Sequence, residues 1–169
     1  MQTNTFSIGF LMNNIQTINN VLKPTYNDIH KACEILAEHV IKMTVKIDRI
    51  VGVSRGGLIP AVIMSHIMDL PFTPISYSST SGAGDNKNHH NVLPDVDGDV
   101  ILIVDDICDT SLTLHEICEH YDTRGKIVYT AVLHFKERKD GKHVPDFYWV
   151  KVQENDGWIV YPFEVGGTL

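Results

Sequence analysis

The segment Val100-Ile-Leu-Ile-Val104 constrains this chain more than any other. Five apolar residues in a row leave a strand no polar face, so both of its sides must be covered. Strands of that kind belong to parallel sheets packed between helices, which places the chain in the α/β class. The run also ends abruptly, because Asp105-Asp106 follows it with no turn residue between.

Neighbouring segments fit the same architecture. Thr25 followed by Asp28 predicts a helix start with Thr25 as N-cap. Ile29, Ala32, Cys33, Leu36, Ala37, Val40 and Ile41 then recur at helical spacing, so the helix is predicted to reach about Met43. Arg49–Val53 reads as a buried strand broken by Ser54-Arg55-Gly56-Gly57, and Leu58–Met68 as an apolar helix with Pro60 tolerated in its first turn. Phe72–Tyr77 reads as a second strand, Val100–Val104 as the third, Ile127–Leu133 as the fourth and Phe147–Val152 as the fifth. A polar loop, 78–91, follows the second strand, and a helix from about Ser111 to His120 follows the third. The prediction is one α/β domain over residues 24–169, its central sheet mainly parallel and flanked by helices. Residues 1–23, rich in Asn, Gln and Thr, are set apart as an extension of unassigned role.

A length of 169 residues with 43% hydrophobic content suits one packed domain. Acidic residues outnumber basic ones by 21 to 14, a net charge of −7, which argues against a nucleic-acid surface. The three cysteines, Cys33, Cys108 and Cys118, are scattered, with no C-x-x-C and no histidine at zinc-ligand spacing. That usage fits a reducing compartment. The N-terminus has no basic region ahead of its short apolar run, and no run of about 18 apolar residues occurs. A cytoplasmic protein without a membrane partner is expected.

The chemistry concentrates after the third predicted strand, in Asp105-Asp106-Ile107-Cys108-Asp109-Thr110-Ser111-Leu112-Thr113. Free N–H groups and the dipole at a helix start favour an anion, and the hydroxyls of Thr110, Ser111 and Thr113 can add donors. Ionised carboxylates accept hydrogen bonds from sugar hydroxyls or hold a hydrated Mg²⁺. Together these describe a ribose 5-phosphate cradle. Three blander readings stay open on spacing alone: Asp109 as a plain N-cap, the acidic pair as a solvated loop, and a receiver-type phosphoacceptor aspartate.

The pattern D-D-x-x-D-T-x-x-T after an apolar strand resembles the diphosphoribosyl-binding motif of type I phosphoribosyltransferases. The resemblance implies an acidic pair, Asp105 and Asp106, that meets the ribose hydroxyls and a Mg²⁺ ion. It puts Asp109 near N7 of a purine and wraps Asp109 to Thr113 around the 5′-phosphate. Ser111 departs from the pattern, standing where the family has Gly or another very small residue. Val51-Gly-Val-Ser54-Arg55-Gly56-Gly57-Leu58-Ile-Pro60 resembles the pyrophosphate loop of the 6-oxopurine enzymes, particularly the xanthine-guanine branch. Ser54, Arg55 and Gly56 then belong to the diphosphate site, with a non-proline cis peptide expected at or next to Ser54-Arg55. Ser76-Tyr77 resembles the opening of the family's mobile lid, where Lys87, His89 and His90 could meet pyrophosphate. Lys136 corresponds to a lysine that donates to the purine O6. Trp158-Ile-Val-Tyr-Pro162-Phe-Glu164 resembles the W-I-x-x-P-[WF]-[DE] segment, in which Trp158 stacks on the base and Ile159 offers backbone groups.

The resemblance implies a Mg²⁺-dependent transfer of ribose 5-phosphate from phosphoribosyl diphosphate to N9 of guanine, xanthine or hypoxanthine. It also implies a small C-terminal hood over the base and a homodimer or homotetramer. Asp105, Asp106, Asp109 and Arg55 would carry the reaction. Two rivals remain: a non-catalytic regulator of the same fold that senses phosphoribosyl diphosphate or nucleotides, and a transferase for adenine, orotate or uracil.

Overall fold

In the computed structural model, residues 6–7, 16–18, 21–77, 91–153 and 156–164 are described. Strands β1 (Phe6–Ser7), β2 (Gln16–Ile18) and β3 (Val21–Lys23) precede helix α1 (Tyr26–Ile41). Then come β4 (Arg49–Ser54), α2 (Leu58–Met68), β5 (Phe72–Ser76), β6 (Val100–Cys108) and α3 (Leu112–Asp122). Strands β7 (Ile127–Lys136), β8 (Phe147–Val152) and β9 (Trp158–Ile159) complete the order.

The main sheet runs β1-β8-β7-β6-β4-β5, and every pairing in it is parallel. As the apolar run predicts, β6 lies inside the sheet and is buried on both faces. Leu102 and Val104 pack with Ile29, Leu36 and Met64 of α1 and α2. Ile101 and Ile103 pack with Leu114, Ile117 and Tyr121 of α3 on the other face. All four strand residues are fully buried, and each contributes roughly 2 kcal/mol of hydrophobic stabilisation.

Helix α1 starts where its capping signal predicts. Thr25 Oγ1 accepts from the Asp28 N–H at 3.2 Å, and Asp28 Oδ2 accepts from the Thr25 N–H at 2.8 Å. Two strands run further than their apolar cores. β6 continues through Asp105 and Asp106 to Cys108, because β7 stays paired beside it as far as Cys108 with Phe135. The acidic pair therefore stands on a strand, not on the loop expected after Val104. Likewise Lys136 is the last residue of β7. Helix α3 begins only after Ser111, which sits in the left-handed region at φ 60°.

A second, small sheet, β2-β3-β9, covers one end of the domain. Leu22 pairs with Ile159, and the Val160 N–H donates to Leu22 O at 3.0 Å. Residues from the N-terminal extension thus join the C-terminal segment in one hood, while β1 extends the edge of the main sheet at β8. Among the described residues no helix is long and apolar enough to cross a membrane.

Candidate active site

The carboxyl ends of parallel strands are where α/β sheets bind ligands. Here β4 and β6 end side by side. β4 accompanies β6 only as far as Val104, and its glycine turn then closes over the acidic residues. A Cβ built on Gly56 would overlap the Asp106 carboxylate, and one on Gly57 would come within 2.7 Å of Asp105 Cα and Val104 O. Only glycine permits this approach. The Ser54–Arg55 peptide is cis, as the motif implies, and Arg55 is exposed at the mouth of the turn.

The acidic pair is held in place by the backbone. Asp105 Oδ1 accepts from the Asp106 N–H at 2.9 Å, and Asp106 Oδ1 accepts from the Ile107 N–H at 3.0 Å. Burial, reinforced by the neighbouring Asp106 charge, holds the Asp105 carboxyl well above the usual carboxylate range. Burial also raises Asp106, although its hydrogen bonds oppose the shift and Glu164 adds to it. Two crowded carboxyl groups that resist ionising are a donor set that a cation or a ring of sugar hydroxyls would relieve.

Asp109 lies between two small pockets. On one side a pocket of about 110 Å³ is lined by Asp105, Asp109, Thr110, Ser111 and Thr113. On the other a pocket of about 70 Å³ is lined by Asp109, Lys136, Trp158, Ile159, Tyr161 and Glu164. A wider cleft of about 860 Å³ lies over Arg55, Gly56, Asp106, Trp158 and Glu164. All four predicted base contacts, Asp109, Lys136, Trp158 and Ile159, therefore share one wall. Trp158 is 66% exposed, available for stacking.

Asp109 is not the cap of α3. It accepts from Arg138 Nε at 2.7 Å, while Ser111 holds the cap position with no side-chain capping bond. The Ser111 hydroxyl is turned towards the β7–β8 connection and accepts from the N–H groups of Lys142 and His143, at 2.7 and 3.1 Å. The same connection is fixed to β7, where Asp146 Oδ2 accepts from Thr130 Oγ1 at 2.8 Å. Lys87, His89 and His90 lie outside the described residues. Ser76 and Val92, which flank that loop, exchange two backbone hydrogen bonds, and Tyr77 donates to Glu116 Oε2 at 2.9 Å.

Sequence reasoning passes over Arg138, His134, Tyr161 and Glu164. Tyr161 O–H donates to Asp106 O at 2.8 Å, and His134 Nδ1 lies 2.7 Å from the same phenol oxygen. A polar residue inside the apolar strand Ile127–Lys136 is the one signal that could have drawn attention to His134. No thiol offers a nucleophile: burial pushes Cys33, Cys108 and Cys118 up to about 12.

The chain is similar to known proteins in sequence and in fold. The model of the phosphoribosyl transferase domain matches residues 25–166. A xanthine-guanine phosphoribosyltransferase of Gluconobacter oxydans is 32% identical over 146 residues, covering 83% of this chain and 82% of that protein. The crystal structure of a purine phosphoribosyltransferase from Pyrococcus horikoshii superposes with a TM-score of 0.71 at 31% identity, covering 89% and 98% of the two chains. A Neisseria gonorrhoeae protein with bound ppGpp superposes with a TM-score of 0.65 at 26% identity, covering 85% and 89%.

Proposed function

This chain belongs to the phosphoribosyl transferase domain family, and from that premise we propose that it transfers ribose 5-phosphate from phosphoribosyl diphosphate to N9 of a 6-oxopurine. The purine relatives support this reading. The observation that carries it is the position of Asp109, which lines the hydroxyl-rich pocket at the start of α3 and the Trp158 pocket at once. A phosphoribosyl group with its phosphate in the first pocket would reach a base in the second, with the acidic pair beside its ring.

Each residue has a task in that reaction. The opening turn of α3, with Thr110 and Thr113, binds the 5′-phosphate through N–H and hydroxyl donors. Arg55 and the Ser54–Gly56 turn bind the diphosphate, and the guanidinium offsets charge as the C1′–O bond breaks. Asp105 and Asp106 would hold Mg²⁺, which when bound neutralises charge on the leaving pyrophosphate. No cluster of three metal-ligating side chains occurs among the described residues. The cation would therefore take its remaining oxygens from substrate and water. Lys136 donates to O6, a donor that favours 6-oxopurines over adenine, whose 6-amino group is itself a donor. Trp158 stacks on the ring, and Asp109 receives or relays a proton near N7. The transition state is oxocarbenium-like, so positioning and charge do most of the work. A cytoplasmic homodimer or homotetramer completes the proposal.

Purified protein should be assayed spectrophotometrically with phosphoribosyl diphosphate, Mg²⁺ and each of guanine, xanthine, hypoxanthine and adenine. Nucleotide formation with at least one 6-oxopurine, lost on chelation of the metal, is expected. The ppGpp-bound Neisseria neighbour favours a second reading, a guanine-nucleotide sensor. Tight nucleotide binding without turnover of any base would select it.

A further inference from the structure

Tyr161 is 2% exposed, yet it carries a hydroxyl into the interior. A phenol has one proton. That proton goes to Asp106 O at 2.8 Å, so the contact at 2.7 Å must run the other way, from His134 Nδ1–H to the phenol oxygen. His134 is itself fully buried, and burial keeps its pKa down at about 4, so the imidazole is neutral. The result is a directed chain from β7, through the hood segment, to the backbone of the acidic strand. Buried polar groups cost stability unless they are paired, and Phe or Leu would fill the same space more simply.

The chain is placed where the two halves of the site meet. Tyr161 follows Trp158 by three residues, and its N–H donates to Glu164 Oε2 at 3.0 Å. Its ring stacks on Phe163, centroids 5.0 Å apart and planes within 6°. Phe163 and Glu164 line the cleft opposite Arg55 and Asp106. On the sugar side, β6 has lost its β4 partner after Val104. β7 pairs with Asp105 and Ile107, the neighbours of Asp106, and the Asp106 carbonyl itself is held by Tyr161. A shift of the 158–164 segment towards a base would act on the Asp106 carbonyl through this bond.

We propose that Tyr161, oriented by His134, is a positioning residue that couples occupation of the base pocket to the geometry of the Asp105–Asp106 pair. The proposal rests on the phosphoribosyl-transfer reading above. A base and magnesium pyrophosphate, which cannot react together for want of a ribose, should then strengthen each other's binding. Linkage requires the same factor in both directions.

The test is calorimetric titration of the full chain with magnesium pyrophosphate, alone and with a saturating 6-oxopurine. Wild type should show roughly fivefold or greater coupling, the lower end of typical values. Tyr161→Phe keeps the ring and should bind each ligand alone within about twofold of wild type, with coupling lost. His134→Leu, which removes the orienting donor, should show intermediate coupling. Coupling retained in Tyr161→Phe overturns the proposal, as does a wild type that turns over but shows no coupling. So does an equal fall of both single affinities in Tyr161→Phe, the mark of a merely structural residue. A wild type that neither turns over nor binds either ligand overturns the transfer reading itself, and the coupling with it.

Discussion

The carboxylate pair and the phosphate loop fall within one stretch, 105–113, at the end of a strand buried in the sheet. The hood opposite is gathered from 16–18, 21–23 and 158–164, far apart in the chain. The first half is rigid by construction. Its acidic pair lies on β6, whose preceding residues are fully buried, and glycines let the β4 turn close on that pair without conflict. The second half offers an exposed indole and a stacked aromatic pair, and the Tyr161 hydroxyl hydrogen-bonds it to the acidic strand. Charge chemistry needs fixed geometry, whereas stacking on a flat base tolerates some play. The division of labour follows from that difference.

The comparison breaks most visibly on the strand side. Asp106→Asn keeps the size of the side chain and removes its charge. Turnover should fall on the order of 10²-fold or more, the scale of losing a placed electrostatic group. The purine affinity of the variant should stay near that of wild type, because Asp106 does not line the base pocket. A loss below about tenfold in steady-state assays would remove Asp106 from the mechanism. Trp158→Ala is the matching change in the hood. Losing roughly 1–3 kcal/mol of stacking raises the Michaelis constant for the base by about five- to 150-fold. The constant for phosphoribosyl diphosphate should move little. Parallel changes in both constants would show that the halves are not separable.

The acidic pair also sharpens the contrast through pH. Burial raises the folded pKa of Asp105 above its unfolded value, so the folded state binds its proton more tightly. The associated stability is present below the unfolded value, about 3.9, and is lost as pH climbs through the raised folded value. Unliganded Asp105→Asn should therefore gain thermal stability relative to wild type as pH rises from about 4 towards 8. Magnesium pyrophosphate should narrow that gap by stabilising the ionised pair in wild type only. Melting curves with and without the ligand check both signs. A constant difference across the range would mean the pair ionises freely.

What the sequence disclosed follows the same division. Strand β6, the N-cap of α1, the glycine turn and the D-D-x-x-D-T spacing are local patterns, readable because their causes lie within a few residues. The full length of β6 was hidden, since only pairing with β7 keeps Asp105–Cys108 extended. The strands before α1 were hidden as well, since β3 forms by pairing with β9 across the whole chain. Arg138 on Asp109, and Tyr161 between His134 and Asp106, are tertiary pairings with no periodic signal.

Ser111 tests the smallest effect. At φ 60° its Cβ sits where glycine is favoured, at a cost of roughly 1–2 kcal/mol. Against that, its oxygen accepts two backbone N–H groups from the β7–β8 connection, each worth roughly 0.5–1.5 kcal/mol. The two effects nearly cancel, which is how serine can occupy a position that motif resemblance assigns to a smaller residue. Ser111→Gly removes the cost and the bonds together, so its melting temperature should stay close to wild type. Ser111→Ala removes the bonds and keeps the cost, and should lose about 1–3 kcal/mol, several degrees for a chain of this size. Both variants free the 141–143 backbone, so amide exchange at Lys142 and His143 should quicken in each. The constant for phosphoribosyl diphosphate should rise a few-fold while that for the base holds. If alanine proves no worse than serine, the hydroxyl contributes nothing to the loop, and the Arg138–Asp109 pair remains as a tie between the connection and the phosphate side.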